Sequence, residues 1–421
     1  MDEAHLTLET LARLLSGGMT YEELLEKVVP HLLARCPVCQ EIHREILRMQ
    51  AEVGHWNEDV VVTEGLEAPE LWTRIAGLPY EAQAKMVEED IDLQTWGFCR
   101  LLLKKSYEAR LENPVLAVDL ANLAVTISFR LGDVYHPEWV QDMRARALAH
   151  LGNARRVLGE LRSADDSFLS AESFLKQGTG DLNLHAEVLD LHSSLRRAQR
   201  RLEEALGILN EALEMYRRIE NSQGVGKVLL QKAKILEEMG DLGAAVEILK
   251  DIPSEIDPAR HPELLRYARF NLLGCYILNR QYKAAQDLLP EVRALVQDSQ
   301  PIERLRLHWA EAKIASGLGR VAEAESAFHE VQTAFLERGM SYDAALVSLD
   351  LAVVYLRERK LSELKQLASG LVLLFESRDV HREALGALYL FQKACEEEQL
   401  TEQAVNRLAD VLRRKQTTRE A

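Results

Sequence analysis

Cys36 and Cys39, separated by two residues, close the stretch His31-Leu-Leu-Ala-Arg-Cys-Pro-Val-Cys39, with His5 upstream and His43 four residues beyond. Two thiolates at that spacing can face one metal across a tight turn, and imidazoles from neighbouring helices can complete a tetrahedral set. Five cysteines, an odd number, argue against a disulfide framework and for a reducing compartment, the cytoplasm. There a Cys2His2 set fits zinc (Zn2+) better than other ions. His5, His31, Cys36 and Cys39 form the first candidate set, and His43, on the same face of a following helix as Cys39, is the alternative ligand. A closed four-ligand site is structural, or redox-sensitive through zinc release, rather than hydrolytic. Its rivals are a metal-free remnant and a thiol redox pair, although no βαβ pattern surrounds these cysteines.

Positioning such ligands takes at least two helices. Leu14 to Gly18 reads as a helix end and turn, and Thr20 with Glu23 three residues on caps the helix that delivers His31. Residues 1–50 bury too little to fold well alone, so metal would supply the missing stability. Residues 5–48 resemble the zinc-binding anti-sigma domain of bacteria, whose signature is an upstream His or Cys followed by His-x3-Cys-x2-Cys. Four residues rather than three separate His31 from Cys36 here. The resemblance implies a regulator that grips a sigma factor. A helix-turn-helix reading is disfavoured because Glu22, Glu23 and Glu26 would face phosphates.

A repeat organises the rest of the chain. Leu161 with Ala164, Leu202 with Ala205, Leu242 with Ala245, Tyr282 with Ala285 and Val321 with Ala324 place a small residue three positions after an apolar one. Leu361 with Leu364 and Leu400 with Gln403 are looser copies, and the period is 39 to 41 residues. A bulky residue follows four positions on, at Phe168, Leu209, Leu249, Leu289 and Phe328. Small residues suit the closest approach of two helix axes and large ones the opening groove, so each copy predicts a helical hairpin.

These phrases resemble tetratricopeptide (TPR) repeats of about 40 residues, with Gly159, Gly240 or Gly319 at the turn. The resemblance spans residues 138–415. Residues 93–137 predict a degenerate first hairpin, with Asn113 capping and Pro114 opening its second helix; residues 416–421 are a tail. The expected fold is all-α, a TPR-like helical-hairpin solenoid preceded by a small helical zinc-binding module. Family geometry implies an inner lane of Asn153, Arg156, Arg197, Lys234, Arg306, Trp309 and Lys313, suited to the backbone and carboxylates of a peptide.

Sparse Gly and Pro (22 and 11) and 6% aromatics agree with packed helices. The formal charge of −16 argues against duplex nucleic acid and anionic membranes as partners. Residues 1–100 carry −11 of it, so this exclusion applies mainly to the front end. Residues 51–92, with eleven acidic and two basic side chains, read as an acidic connector with short helices. The chain opens on Asp2 and Glu3 with no secretory pattern, and its most apolar stretch, Pro114 to Phe129, is too short to span a bilayer. Arg196, Arg197, Arg200 and Arg201 share one helix side, with Glu203 and Glu204 placed to answer them. No phosphate loop, nucleophile elbow or His-Glu-x-x-His occurs, so no enzymatic activity is expected. His185 and His192 read as helix surface, and Cys99, Cys275 and Cys395 as core thiols. The expected function is a protein–protein interaction adaptor, anti-sigma-like in its front module. The alternative is a TPR scaffold or signalling-peptide receptor in which that module is only an N-terminal cap.

Overall fold

The computed structural model describes residues 58–376, 382–397 and 399–420, and these contain eighteen α-helices. His5, His31, Cys36, Cys39 and His43 lie outside the described residues. The chain divides into two compact units. Of the described residues, the first unit holds those up to Leu102, then Leu123–Arg144 and Gln177–Thr179; the second holds Leu103–Asn122, Ala145–Lys176 and the part from Gly180 onward.

The first unit opens with α1 (Glu58–Ile75) and α2 (Tyr80–Glu89), followed by a 3-10 turn at Ile91–Leu93. This is the segment read as an acidic connector. Its apolar residues Ala68, Ile75, Val87 and Leu93 are buried. Gln83, also buried, donates to the carbonyls of Ile75 and Leu78 at 3.0 Å each and so satisfies the end of α1. Glu64 of α1 accepts from the Tyr135 hydroxyl at 2.6 Å and from the Gly97 amide at 3.2 Å. A Cβ at position 97 would lie 2.3 Å from the Glu64 carbonyl carbon, so only glycine permits this approach.

Two helices, α3 (Trp96–Ala109) and α4 (Pro114–Ser128), form the expected degenerate hairpin, with Asn113 Oδ1 accepting from the Leu116 amide at 3.1 Å. Seven hairpins follow: α5 (Pro137–Leu158) with α6 (Leu161–Leu175), α7 (Leu182–Ala198) with α8 (Leu202–Arg218), and α9 (Ser222–Met239) with α10 (Leu242–Glu255). Then come α11 (Pro262–Leu278) with α12 (Tyr282–Val296), α13 (Pro301–Gly317) with α14 (Val321–Glu337), α15 (Ser341–Arg357) with α16 (Leu361–Glu376), and α17 (Arg382–Glu396) with α18 (Glu402–Glu420).

The size pattern explains the packing of the second unit. Ala164, Ala205, Ala245, Ala285 and Ala324 are all fully buried, and so are Phe168, Leu209, Leu249 and Phe328 four residues on. In the last two hairpins the sizes exchange: Leu364 precedes Ala368, and Val405 precedes Ala409, all buried. The final copy therefore starts at Glu402 rather than Leu400, and Val405, not the exposed Gln403, fills the small-residue position. That end is built differently, for α18 packs back onto α15 and Arg357 grips Glu402 through two bonds of 2.8 and 2.9 Å. With neighbours on several sides, α15 is buried nearly all round, which its apolar sequence requires.

Candidate functional site

Consecutive first helices pack on one another: α9 on α11, α11 on α13, α13 on α15. No two consecutive second helices among the described residues do so to that extent, so the first helices line the inner side of this stack. On that side successive hairpins are latched by polar pairs about one repeat apart. Arg146 bonds Glu187 at 3.3 Å, Arg197 bonds Glu238 at 2.8 Å, Arg266 bonds Glu303 at 2.7 Å, and Gln231 donates to Asp190.

Three of the expected lane residues come together. The buried Asn153 accepts through Oδ1 from Arg156 Nε and Nη2, at 3.1 and 2.9 Å. No carboxylate among the described residues pairs with Arg156. Burial, then the charge of Arg197, then that of Arg110 push its guanidinium down to about 10. Arg110 itself lies over the Tyr107 ring at 3.6 Å, and Tyr107 meets His150 edge-on. The end of α3, with α5 and α7, thus presents a half-buried cation flanked by two more, with an aromatic ring beside them. Such a cluster suits a carboxylate or phosphate.

Trp309 and Lys313 make a second, separate group. The indole donates to Asp350 Oδ2 at 2.7 Å, and Lys313 sits 3.1 Å from the same oxygen and 4.3 Å above the indole ring. Lys234 pairs within its own helix with Glu237 at 2.9 Å, while Arg306 is exposed and has no ion pair among the described residues. The lane is thus two clusters, not one continuous row.

Sequence reasoning missed the acids of this face. Burial would raise the Glu187 carboxyl, but the His150 hydrogen bond and the Arg146 charge outweigh it and hold it at about 2. Asp190, one turn on, goes the other way: burial, with Glu187 adding to it, overcomes the Gln231 bond and Lys227 and lifts it to about 6. A signal existed, because opposite charges recur 37 to 41 residues apart in Arg146/Glu187, Arg197/Glu238 and Arg266/Glu303. The arginine run is answered mainly by neighbouring hairpins: Arg196 by Asp165 at 2.6 Å, Arg197 and Arg200 by Glu238. Glu204 meets Arg201, and Arg196 at 3.8 Å.

His192 corrects the surface reading: it is buried and stacked on Phe168 at 5.0 Å, because the position faces the preceding hairpin. His185 is exposed. Cys99, Cys275 and Cys395 are buried, and burial pushes the last two thiols up to about 11. Among the described residues no His, Cys, Asp and Glu group is placed to hold a metal, and no helix is long and apolar enough to cross a membrane.

No protein-family model matches the chain, and no curated protein matches it. Solved structures do. Aspartyl phosphate phosphatase F from Bacillus subtilis aligns over 82% of this chain and 90% of its own, at 13% identity and a TM-score of 0.55. The fold is a TPR-like helical-repeat solenoid. A tetratricopeptide repeat protein from Parabacteroides merdae covers 70% of this chain and 98% of its own at 17% identity, TM-score 0.45. A Rap protein complexed with competence and sporulation factor covers 76% and 99% at 13% identity, TM-score 0.42. TPR-like arrays serve unrelated processes, so for this one the chemistry of its own inner face must carry the function.

Proposed function

We propose that the chain is a non-enzymatic scaffold that binds a protein or peptide partner on the inner face of its TPR-like array, with Arg156 receiving an anionic group of that partner and the charge of Arg197 beside it adding to the attraction. Arg156 carries the reading. A guanidinium held half-buried beside two other arginines, with an amide oxygen as its one hydrogen-bond partner among the described residues, is unfavourable until an anion arrives. Retaining it costs stability, as binding sites commonly do. The replacement Arg156→Met keeps the length and removes the charge. It raises the melting temperature and abolishes the enrichment of acidic peptides from a random peptide library that the unaltered protein shows. A library without acidic enrichment, or one whose enrichment survives Arg156→Met, overturns the proposal.

The Cys-x2-Cys spacing supports a finer reading of the front end, in which His5, His31 (or His43), Cys36 and Cys39 hold zinc and the module either contacts a sigma factor or caps the array. Stoichiometric zinc in the purified chain, lost in the Cys36→Ser/Cys39→Ser variant, is the expected result. A zinc-free chain refutes it.

A further inference from the structure

The hairpin turns share one register, set by a left-handed residue at Gly159, Arg200, Gly240, Arg280, Gly319 and Arg359. Four positions earlier, on the first helix, stand Arg155, Arg196, Leu236, Tyr276, Ala315 and Tyr355. Five are large, and they fill space beside a second helix. Arg196 reaches back to Asp165 of the preceding hairpin at 2.6 Å, and the Tyr355 hydroxyl bonds His329 of the preceding hairpin at 3.0 Å. Leu236 and Tyr276 pack into apolar clusters. Arg155 bonds Ser167 of α6 at 2.9 Å. Among these six hairpins only α13–α14 has alanine; the terminal hairpin, built differently, has Ala394 in the matching place.

The space that a large side chain would occupy at Ala315 is open. A cleft of about 360 Å³ lies there between α12, α13 and α14, floored by Leu289, Pro290, Ala312, Ala315 and Ala327. Gln286 and Pro290 line it, and in repeat register they are the counterparts of Asp165 and His329, the residues that Arg196 and Tyr355 reach.

We propose that this cleft receives a phenolic side chain, a tyrosine of a partner protein, which takes the place that Tyr276 and Tyr355 fill from within in the two flanking hairpins. An aromatic ring matches the apolar floor, and Gln286 offers its hydroxyl a hydrogen-bond partner. A guanidinium fits less well because the carboxylates at the rim are already engaged: Glu311 by Arg293 at 2.6 Å and by His308 at 3.3 Å, Glu323 by Arg320 at 3.1 Å. The slot is independent of the Arg156 cluster, and each can fail without the other.

The test titrates p-cresol, the isolated tyrosine side chain, into the full chain, with toluene and ethylguanidinium alongside, followed by saturation-transfer NMR. Saturable p-cresol binding is expected, weakened about tenfold or more by Ala315→Tyr, which fills the slot as in the neighbouring hairpins. Should that variant fail to fold, Ala315→Leu, the residue type at position 236, makes the same comparison. Absent p-cresol binding, binding retained in the filled variant, or toluene or ethylguanidinium binding as tightly overturns the proposal.

Discussion

Asp190→Asn tests whether the inner face is held at a cost to stability. In the native chain Asp190 sits against Gln231, whose amide donates to Oδ1, with Glu187 one turn earlier and the positive charge of Lys227 opposing it. Its folded value of about 6 stands roughly two units above that of an unfolded aspartate, which is worth up to about 3 kcal/mol. Between about pH 4 and pH 6 the folded chain binds a proton that the unfolded chain has already lost, so this group makes stability fall as pH rises through that window. Above it the destabilisation is complete. Asparagine keeps an oxygen for Gln231 and has no proton to lose. The variant is therefore expected to be about 1–3 kcal/mol more stable than the native chain at pH 7 and to converge with it near pH 4. Urea denaturation of both proteins across pH 4–7 reads the difference directly, and comparing the pair cancels titrations elsewhere. A difference that does not change with pH, or a variant less stable at pH 7, refutes the reasoning.

Arg359→Gly relieves a left-handed backbone, φ 56°, at a turn where three of the equivalent positions are already glycine; a gain of about 0.5–1 kcal/mol in thermal denaturation is expected. Two helical glycines give opposite results on substitution. At Gly152 an added Cβ would stand 2.8 Å from the Phe168 ring, so Gly152→Ala destabilises by about 1–2 kcal/mol, whereas nothing lies within 4 Å at Gly207 and Gly207→Ala stabilises by up to about 1 kcal/mol. Melting temperatures that move together in the two variants contradict the packing argument.

The hairpins were legible because a single physical demand, a small residue where axes approach and a large one four positions on, repeats at a fixed period. Ala164 with Phe168 and Ala205 with Leu209 state it plainly. It weakened at the last two copies, where Leu364 and Val405 take the small position and Ala368 and Ala409 the large one, because reversing the two conserves volume while erasing the pattern. The segment 58–93 concealed α1 for a different reason. Its helix is tied to the first unit by Glu64 meeting the Tyr135 hydroxyl 71 residues away, a contact that no local periodicity reveals. The charged face was half legible. The TPR resemblance pointed to Arg156, Arg197 and Trp309 as lane residues, but only the hairpin stacking shows which cations already have partners.

That distinction gives the Arg156 cluster its weight. Residues 101–421 carry a net charge of only −5, so acids and bases are close to balanced in the array and most exposed charges can find a partner. Arg197, Arg200, Arg217, Arg266 and Arg357 all do so with a glutamate of a neighbouring hairpin. These contacts set the register between hairpins and are individually weak where they are exposed. Against such a background a cation left without a carboxylate among the described residues is not a consequence of scarcity. It is half-buried, its neighbours Arg110 and Arg197 repel it, and Asn153 fixes the guanidinium plane with two hydrogen bonds. Fixing the plane while withholding the counter-charge lowers the entropy lost when an anion docks and leaves the desolvation to be repaid by that anion alone. The same arrangement predicts salt dependence: the Arg156 site is partly buried and screened little, so partner binding that depends on it should weaken less steeply with ionic strength than binding through exposed Arg306. Peptide affinities of Arg156→Met and Arg306→Met variants between low and physiological salt separate the two, and equal salt slopes would remove the case for a buried anion site.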